Sequence, residues 1–301
     1  MKSGFISVIG RPNVGKSSLI NTIVGEKVAI TTSKAQTTRD LIQGIYTDKD
    51  SQMVFVDTPG IHKPVHKLGG FLNSKAYYSV DDVDLVLFVV DGSEEIGSGD
   101  KFIIERLKNV TKKVFLVINK IDKLNNEQII NKINEYKDLY DFCEIIPVSA
   151  TKNDNVNRLI TILKKYLPDN VKYFPDDNKT SSSMEFRITE IVREKVMNLT
   201  EDEIPHSIAC VLSDYQEKDN IAYIYVDIVT DREALRKIIL GKNGIKIKEI
   251  GMEARKDLEV LLGKQVYIEL YVRVLRKWRD KEKYLRELGI INVRWINFNE
   301  L

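Results

Sequence analysis

The stretch GRPNVGKSSL, residues 10–19, decides the fold of the first half of this chain. Two glycines five residues apart precede Lys16 and Ser17, and the apolar run FISVI (5–9) comes directly before them. Glycines allow backbone conformations that turn successive N–H groups inward, and a following helix adds its N-terminal amides. The G-x-x-x-x-G-K-S pattern between a strand and a helix therefore predicts a phosphate-binding loop. The loop alone does not distinguish ATP from GTP.

Short apolar runs alternate with longer segments of helical spacing through the first half of the chain. The runs are GFISVIG (4–10), MVFVDTPG (53–60), DLVLFVVD (84–91), KVFLVINK (113–120) and EIIPVSA (144–150). This alternation predicts an α/β domain with a mostly parallel sheet and helices on both faces, whose ligand lies beyond the carboxyl ends of the strands. The segment TTRDLIQGIYTDKD (37–50) alternates differently, and we expect an edge strand there.

The pattern breaks after residue 167, where Pro, Asp, Asn and Ser cluster without periodicity. We therefore predict a first domain over 1–167, a linker over 168–183 and a second domain over 184–301. The second domain is predicted to run helix, strand, strand, helix, helix, strand, with GKNG (241–244) between its two later helices. The segment WRDKEKYLRELG (278–289) is expected to form a closing helix.

Composition is that of a globular protein, with 43% hydrophobic residues, 30% charged residues and a net charge of +2. Two cysteines lie far apart without metal-ligand spacing, which fits a reducing compartment. The longest apolar run, LVLFVV (85–90), is too short to span a bilayer, and no cleavable signal is evident. A cytoplasmic monomer is the expectation.

Further segments complete the predicted phosphate and metal site. Lys16 is placed to reach the outer phosphates, and the Ser17 hydroxyl to ligate Mg²⁺. Asp57 in DTPG is placed to hold Mg²⁺ through a water, and the Gly60 N–H to bind the γ-phosphate. Thr38 is placed to close on Mg²⁺ when the γ-phosphate is present. The predicted Mg²⁺ ligands are thus Ser17, Thr38 and Asp57.

Two segments favour guanine over adenine. In NKID (119–122), the Asp122 carboxylate suits the two donors on the edge of guanine, and adenine lacks that pattern. Asn119 and Lys120 are expected to brace the loop and the base, and the Ala150 N–H to face the guanine carbonyl. The full predicted nucleotide-binding set is Gly10, Arg11, Pro12, Asn13, Val14, Gly15, Lys16, Ser17, Asp57, Thr58, Pro59, Gly60, Ile61, Asn119, Lys120, Asp122, Ser149 and Ala150.

Taken together, these motifs resemble a known family. Residues 4 to about 165 are similar to a translation-factor-class small GTPase domain. The chain resembles the bacterial Era family over nearly its whole length. The resemblance lies in the sequence segments GRPNVGKSSLIN, KAQTTRD, DTPGIHKP and NKID, followed by EDEIPHSIAC and GKNGIKIKEIGMEARKDLE. The resemblance implies GTP or GDP with Mg²⁺ as cofactors and slow intrinsic GTP hydrolysis.

The resemblance also bears on how GTP is hydrolysed. Many GTPases carry a glutamine after DxxG, whereas this chain has Ile61, as Era-like proteins do. The transition state must then be stabilised by loop amides, Lys16, Mg²⁺ and a monovalent cation. In related GTPases an asparagine matching Asn13 ligates K⁺; the alternative is that Asn13 braces the loop. The predicted catalytic groups are Lys16, Thr38, Gly60 and Asn13. For His62 and His66 a loop or partner contact is favoured over catalysis.

The GKNG loop (241–244) is predicted to bind the phosphates of a nucleic-acid backbone. In the predicted order of helices and strands, GxxG is the clamp of an α+β type II KH domain, which holds about four nucleotides of single-stranded nucleic acid. The predicted RNA-binding residues are Gly241, Lys242, Asn243, Gly244, Ile245, Lys246 and Lys248. Ile238, Ile245 and Ile247 either form an apolar floor beneath the bases or belong to the helix core.

Positive charge is concentrated in the second domain. Residues 236–256 carry seven Lys or Arg against two Glu, and residues 272–286 carry seven against two acidic residues. Such a concentration is typical of a phosphate-backbone binder. A basic membrane-surface patch with Trp278 is the competing interpretation, and a solvated charged face is a further one for the tail alone.

The predicted function is a GTP-hydrolysing switch that binds single-stranded RNA. The resemblance implies that the RNA is the 3′ end of 16S rRNA, and that the role is maturation or assembly of the small (30S) ribosomal subunit. Two alternatives stay open: a P-loop ATPase or kinase, and a constitutive RNA-binding or membrane-associated module whose nucleotide is only structural. Peripheral membrane contact on the cytoplasmic face belongs to the second alternative.

Overall fold

The computed structural model describes residues 1–32, 34, 37–61, 66–201 and 204–291 of the chain. The chain folds into two compact units. One comprises Met1–Thr31, Gln36–Lys63 and Leu72–Ser181, and the other comprises Thr32–Ala35, Pro64–Phe71 and Ser182–Leu301.

A six-stranded sheet forms the centre of the first unit. Its strands are β1 (Lys2–Ile9), β2 (Ile42–Thr47), β3 (Ser51–Asp57), β4 (Leu85–Asp91), β5 (Lys113–Asn119) and β6 (Glu144–Pro147). The order across the sheet is β2-β3-β1-β4-β5-β6, and all neighbours are parallel except β2 and β3. The predicted α/β class and the antiparallel edge strand are confirmed.

Helices cover both faces of this sheet. They are α1 (Lys16–Val24), α2 (Lys67–Asp81), α3 (Ser98–Leu107), α4 (Asn126–Lys137) and α5 (Val156–Tyr166). Successive strand residues point to opposite faces, so Val8 and Leu87 pack with α1 and α5 while Ile9 and Phe88 pack with α3. The hydrophobic core therefore lies in two layers, and the site residues lie at the carboxyl ends of the five parallel strands.

The segment predicted as a linker is attached to the first unit by backbone hydrogen bonds. Ser3 N–H donates to the carbonyl of Pro168 at 3.2 Å, and Ile45 N–H donates to that of Lys179 at 2.8 Å. The side-chain amide of Gln52 donates to the Phe174 carbonyl at 2.9 Å. Because segment 168–183 takes part in each of these bonds through a backbone carbonyl, its side-chain pattern gave no signal for them.

The second unit is an α+β fold with a three-stranded sheet. Its elements are α6 (Met184–Leu199), α7 (Ile204–Ser207), β7 (Ile208–Lys218), β8 (Ile221–Thr230), α8 (Glu233–Leu240), α9 (Ile245–Leu262), β9 (Gln265–Val274) and α10 (Glu282–Glu287). The order is β7-β8-β9, with β7 antiparallel and β9 parallel to β8. The predicted element order and the type II KH arrangement are confirmed; 292–301 lie outside the described residues.

Within the described ranges, no helix has both the length and the apolar character needed to cross a membrane.

Candidate nucleotide site and nucleic-acid interface

The loop between β1 and α1 has the backbone of an anion nest. Gly15 has a φ of +96°, and Asn13 has a φ of +65°. A Cβ atom at Gly15 would lie 2.3 Å from Nδ2 of Asn119, so no other residue fits there. The α1 helix begins at Lys16, immediately after this turn, and its free N-terminal amides face the loop.

Lys16 is buried inside the loop that it closes. Its ammonium donates to the carbonyl of Gly10 at 3.1 Å and to that of Arg11 at 3.0 Å. Burial lowers the pKa of Lys16 to about 8, although the charge of Asp57 opposes the shift. A buried cation held only by carbonyls is destabilised, and a triphosphate would relieve that cost.

Three oxygens converge where Mg²⁺ is predicted. The Ser17 hydroxyl donates to Oδ2 of Asp57 at 2.6 Å, and the Thr38 hydroxyl donates to the same oxygen at 3.2 Å. The two hydroxyls lie 3.2 Å apart. Oδ1 of Asp57 is buried without a hydrogen-bond partner. Burial raises the pKa of Asp57, and Lys16 and the two hydroxyls oppose that shift. Hard oxygen donors with one unsatisfied carboxylate oxygen fit a Mg²⁺ ion.

The DTPG segment lies against the phosphate loop. The Thr58 hydroxyl donates to the Val8 carbonyl at 2.8 Å, and Ile61 N–H donates to the Gly10 carbonyl at 3.3 Å. A Cβ at Gly60 would lie 2.7 Å from the backbone nitrogen of Pro12. The segment that contains Pro59 and Gly60 therefore packs against the phosphate loop, the side on which the Gly60 amide is predicted to bind the γ-phosphate.

The NKID segment is tied to the phosphate loop from the other side. The Asn119 amide donates to the Val14 carbonyl at 2.9 Å and accepts from Ala150 N–H at 3.1 Å. The Lys120 ammonium donates to the Asn13 carbonyl at 2.8 Å. These bonds place the two predicted base-recognition segments beside the loop.

Asp122 is oriented by its neighbour in the next segment. The Ser149 hydroxyl donates to Oδ1 of Asp122 at 2.5 Å, which leaves Oδ2 for an incoming donor. One carboxylate oxygen held by the protein and one directed outward suit the paired donors of a guanine edge.

Two acidic residues that the sequence analysis did not identify, Asp91 and Asp100, support the phosphate loop. Asp91, at the end of β4, pairs with Lys120 at 2.6 Å. Burial alone would raise the pKa of Asp91, but hydrogen bonds from Lys120 and Ser93 outweigh it and lower that pKa. Asp100 in α3 is fully buried and accepts from Nε of Arg11 at 2.8 Å. The position of Asp91 at the end of a strand could have indicated its role in the sequence. For Asp100 the only feature visible in the sequence was that it is an acidic residue in the first turn of a helix.

No described side chain takes the place of a general base. Ile61 is buried in the core, as expected for an apolar residue at that position. His66 belongs to the second unit, where its Nδ1 lies 3.2 Å from Oδ1 of Asp280. This contact supports the prediction that His66 serves a loop contact; His62 lies outside the described residues.

The two glycines of the GKNG loop in the second unit differ in their surroundings: Gly241 packs closely against Lys246, whereas Gly244 faces open space. Gly241 has a φ of +70°, and a Cβ there would lie 2.6 Å from Cβ of Lys246. Gly244 has no atom within 4 Å of such a Cβ. Lys242 and Asn243 are exposed between the two glycines, and α9 begins at Ile245. A phosphate therefore has access to the helix N-terminus.

An open groove of about 370 Å³ runs between α9 and β9 beside this loop. Its walls include Ile247, Lys248, Met252, Arg255, Tyr267 and Glu269. The two cations can bind phosphates, and the two apolar side chains and the tyrosine ring can stack on bases, while Glu269 contributes one negative charge.

The three isoleucines of the predicted apolar floor divide between the two interpretations. Ile238 and Ile245 are 51% and 65% exposed, which leaves them free to contact bases. Ile247 packs against the core of the second unit while also lining the groove.

The basic tail is less available than its charge suggests. Arg279 pairs with Asp231 at 2.8 Å, and Arg286 pairs with Glu282 at 2.6 Å. Trp278 is fully buried, and its indole N–H donates to the Ser207 carbonyl at 3.1 Å. Trp278 therefore cannot anchor a membrane-surface patch, because a buried indole cannot enter a membrane interface.

Two family models match this chain, one over its first part and one over its second. Residues 5–120 match the family described as 50S ribosome-binding GTPase, and residues 203–279 match the KH domain family. A structure of an Aquifex aeolicus Era variant bound to GDP and AlF₄⁻ is 39% identical, with a TM-score of 0.94. It covers 97% of this chain and 100% of its own. A second structure, Era in complex with MgGDPNP and nucleotides 1506–1542 of 16S ribosomal RNA, has the same identity, coverage and TM-score.

Proposed function

Because this chain belongs to the Era family of GTPases, we propose that it is a switch in which bound GTP controls the hold of a KH domain on single-stranded RNA. The chain is a GTPase, converting GTP and water to GDP and phosphate. We propose the 3′ end of 16S rRNA as the RNA, maturation of the small ribosomal subunit as the role, and the cytoplasm as the place.

The observation that carries the nucleotide half is the convergence on Asp57. Ser17, Thr38 and Asp57 come from three separate segments, yet their side-chain oxygens lie within 3.2 Å of each other in a buried cluster. These residues would hold Mg²⁺. When bound, the ion neutralises charge on the β- and γ-phosphates. Thr38 reaches the cluster from the segment between α1 and β2. The position of that segment is therefore expected to depend on whether the cluster holds Mg²⁺ and GTP.

Hydrolysis then depends on fixed charge and amides rather than on a proton-accepting side chain. Lys16 and the amides of the phosphate loop bind the phosphate oxygens, and the Gly60 amide binds the γ-phosphate from the DTPG segment. Ile61 offers no hydrogen bond to the attacking water. The protein therefore orients the phosphates without activating the water, and slow intrinsic turnover follows.

Asn13 is our proposed ligand for K⁺. Its backbone is held in a left-handed conformation, and its carbonyl accepts from Lys120 at 2.8 Å. The backbone of the turn that carries Asn13 is therefore fixed, which supports the proposal. The comparison of turnover in KCl and NaCl tests the proposal: wild type should be faster in K⁺, and Asn13→Ala should lose the difference. Equal rates in both salts would contradict it.

RNA is proposed to cross the GKNG loop and continue along the groove between α9 and β9. The loop offers amides and Lys242 to phosphates, while Tyr267 and Met252 offer surfaces on which bases stack. Positive charge in 236–256 supplies the salt-dependent attraction.

The clamp is tested with a single-stranded RNA oligonucleotide that has the 3′-terminal sequence of 16S rRNA. Lys242→Asp/Asn243→Asp should weaken binding at least tenfold, because two anions would face the phosphates. Its GTPase rate without RNA should stay at the wild-type value. A matched control, Lys108→Asp/Asn109→Asp in the first unit, should keep RNA affinity. Wild-type affinity in the clamp variant would contradict the proposed RNA path.

A further inference from the structure

The outer face of the three-stranded sheet in the second unit is rich in tyrosine and is not covered by the helices. Along β8, Ala222, Ile224 and Val226 are buried against the helices, and the residues between them point the other way. On β9, Tyr267 and Tyr271 are 48% and 62% exposed. Large exposed aromatic groups on one face are typical of interaction surfaces.

The strand register sets tyrosines and carboxylates side by side. Tyr225 lies opposite Asp214 of β7 on one side and opposite Glu269 of β9 on the other. In the next row on the same face, Asp227 lies opposite Tyr271. Tyrosine and carboxylate therefore alternate in both directions, and they line an open cleft of about 360 Å³.

Two of these carboxylates have no cationic partner among the described residues. Asp227 is within 3.1 Å of Nε of Arg273. Asp214 accepts instead from the neutral amides of Tyr215 and Gln216, at 2.9 and 2.6 Å. Glu269 accepts only a long bond of 3.4 Å from the Tyr267 hydroxyl. The charge of Glu269 also raises the pKa of Tyr267. The cleft is thus negative overall.

This negative charge separates the outer sheet face from the proposed RNA path. The groove between α9 and β9 carries Lys248 and Arg255 beside Glu269, whereas the cleft is lined by Asp214, Asp227 and Glu269 and by no lysine or arginine among the described residues. A polynucleotide or an anionic lipid surface would be repelled by the cleft. Tyrosine ring faces and carboxylates both attract cations, and a guanidinium can stack on the ring while binding the carboxylate through two N–H groups.

We propose that this outer sheet face docks an arginine-rich polypeptide segment of a partner protein, with its guanidinium groups seated beside Tyr225 and Tyr271 and paired with Asp214 and Glu269. The cleft adjoins the proposed RNA path at Glu269, which lines both, whereas Asp214, Tyr225 and Tyr271 line the cleft alone. The KH domain then holds RNA on one side and a basic protein segment on the other.

The test uses the full chain and a fluorescein-labelled oligo-arginine peptide, with binding followed by anisotropy at low salt. Asp214→Asn/Glu269→Gln should weaken binding roughly tenfold, and Tyr271→Ser should weaken it several-fold, since each removes a different contact. Both substitutions are at exposed positions. Glu105→Gln/Glu135→Gln in the first unit removes the same charge and should bind as wild type does.

RNA binding distinguishes the two surfaces. Asp214→Asn alone, at a residue that lines only the cleft, should keep wild-type affinity for the RNA oligonucleotide, and Lys242→Asp/Asn243→Asp should keep wild-type affinity for the peptide. Unchanged peptide affinity in both sheet variants would overturn the proposal, as would an equal loss in the first-unit control. Weaker RNA binding by Tyr271→Ser would assign the face to RNA instead.

Discussion

Ser17 donates to one carboxylate oxygen of Asp57 at 2.6 Å, while the other oxygen of the same carboxylate is buried without a hydrogen-bond partner. A buried carboxylate oxygen without a partner is costly, and a bound cation removes the cost. The pair is therefore arranged for a ligand rather than for the stability of the free protein.

Substitution of either partner should weaken Mg²⁺-dependent nucleotide binding. We expect Ser17→Ala to lower the affinity for GTP in the presence of Mg²⁺ by about 10- to 100-fold, because a metal ligand is lost. Titration of a fluorescent GTP analogue with and without Mg²⁺ measures the effect. The neighbouring Ser18→Ala should bind as wild type does. A Ser17→Ala protein that keeps its full Mg²⁺ dependence would contradict the assignment.

The lowered pKa of Lys16 predicts proton uptake when nucleotide binds. In the free protein Lys16 loses its proton near pH 8, well below its ordinary value of 10.5. Bound phosphates favour the charged form and raise that pKa, so binding above pH 8 takes up a proton and affinity falls as pH rises.

Calorimetry of GDP binding at pH 8.5 or so, in two buffers of different ionisation enthalpy, counts these protons. The stability of the free protein changes in the opposite sense: since the unfolded chain binds more protons between pH 8 and 10.5, the free energy of unfolding contributed by Lys16 rises with pH over that range. Binding enthalpies that do not depend on the buffer would contradict the prediction, because they would mean that Lys16 has the same protonation state in the free and in the nucleotide-bound protein.

Asp122 should decide which base is accepted. Asp122→Asn replaces an acceptor with a donor, so we expect preference to move from GTP towards xanthosine triphosphate by roughly 100-fold or more. Competition between the two nucleotides measures the change. Ser149→Ala, which removes only the brace on Asp122, should cause a smaller loss of GTP affinity. The exposed Asp141→Asn serves as the control. Unchanged GTP preference in Asp122→Asn would contradict the base-recognition assignment.

The buried pair of Arg11 and Asp100 should stabilise the phosphate loop. The Arg11 carbonyl also accepts from Lys16, so the ion pair fixes the backbone that holds the lysine. Asp100→Asn should lower the free energy of unfolding by about 2 kcal/mol, because Arg11 loses its buried partner and keeps only the more exposed ion pair with Glu94. Urea denaturation measures this loss.

A double-mutant cycle separates the ion pair from other effects of the substitution. The double variant Arg11→Gln/Asp100→Asn should be less destabilised than the sum of its single variants. Additive losses would mean that the two side chains contribute independently.

The sequence was most informative where a backbone conformation needs a particular residue. Gly15 and Gly241 could be recognised because each occurs in a spacing that a phosphate-binding turn requires, and the alternation of strands and helices predicted the order of elements. Asp100 was not recognised, because its partner Arg11 is distant along the chain and only the packing of α3 brings them together. The burial of Trp278 was also missed, since a tryptophan among basic residues has the same local pattern whether it faces a core or a membrane.

The bound nucleotide is proposed to change the affinity of the chain for RNA. The decisive measurement is the affinity of the full chain for the 16S rRNA 3′-terminal oligonucleotide with GDP and with a non-hydrolysable GTP analogue. A ligand shifts an equilibrium only by binding the two states differently, so we predict at least a fivefold difference, with the GTP-analogue state tighter. Equal affinities in the two states, with Lys242→Asp/Asn243→Asp still abolishing binding in both, would contradict the switch and leave a constitutive RNA-binding GTPase.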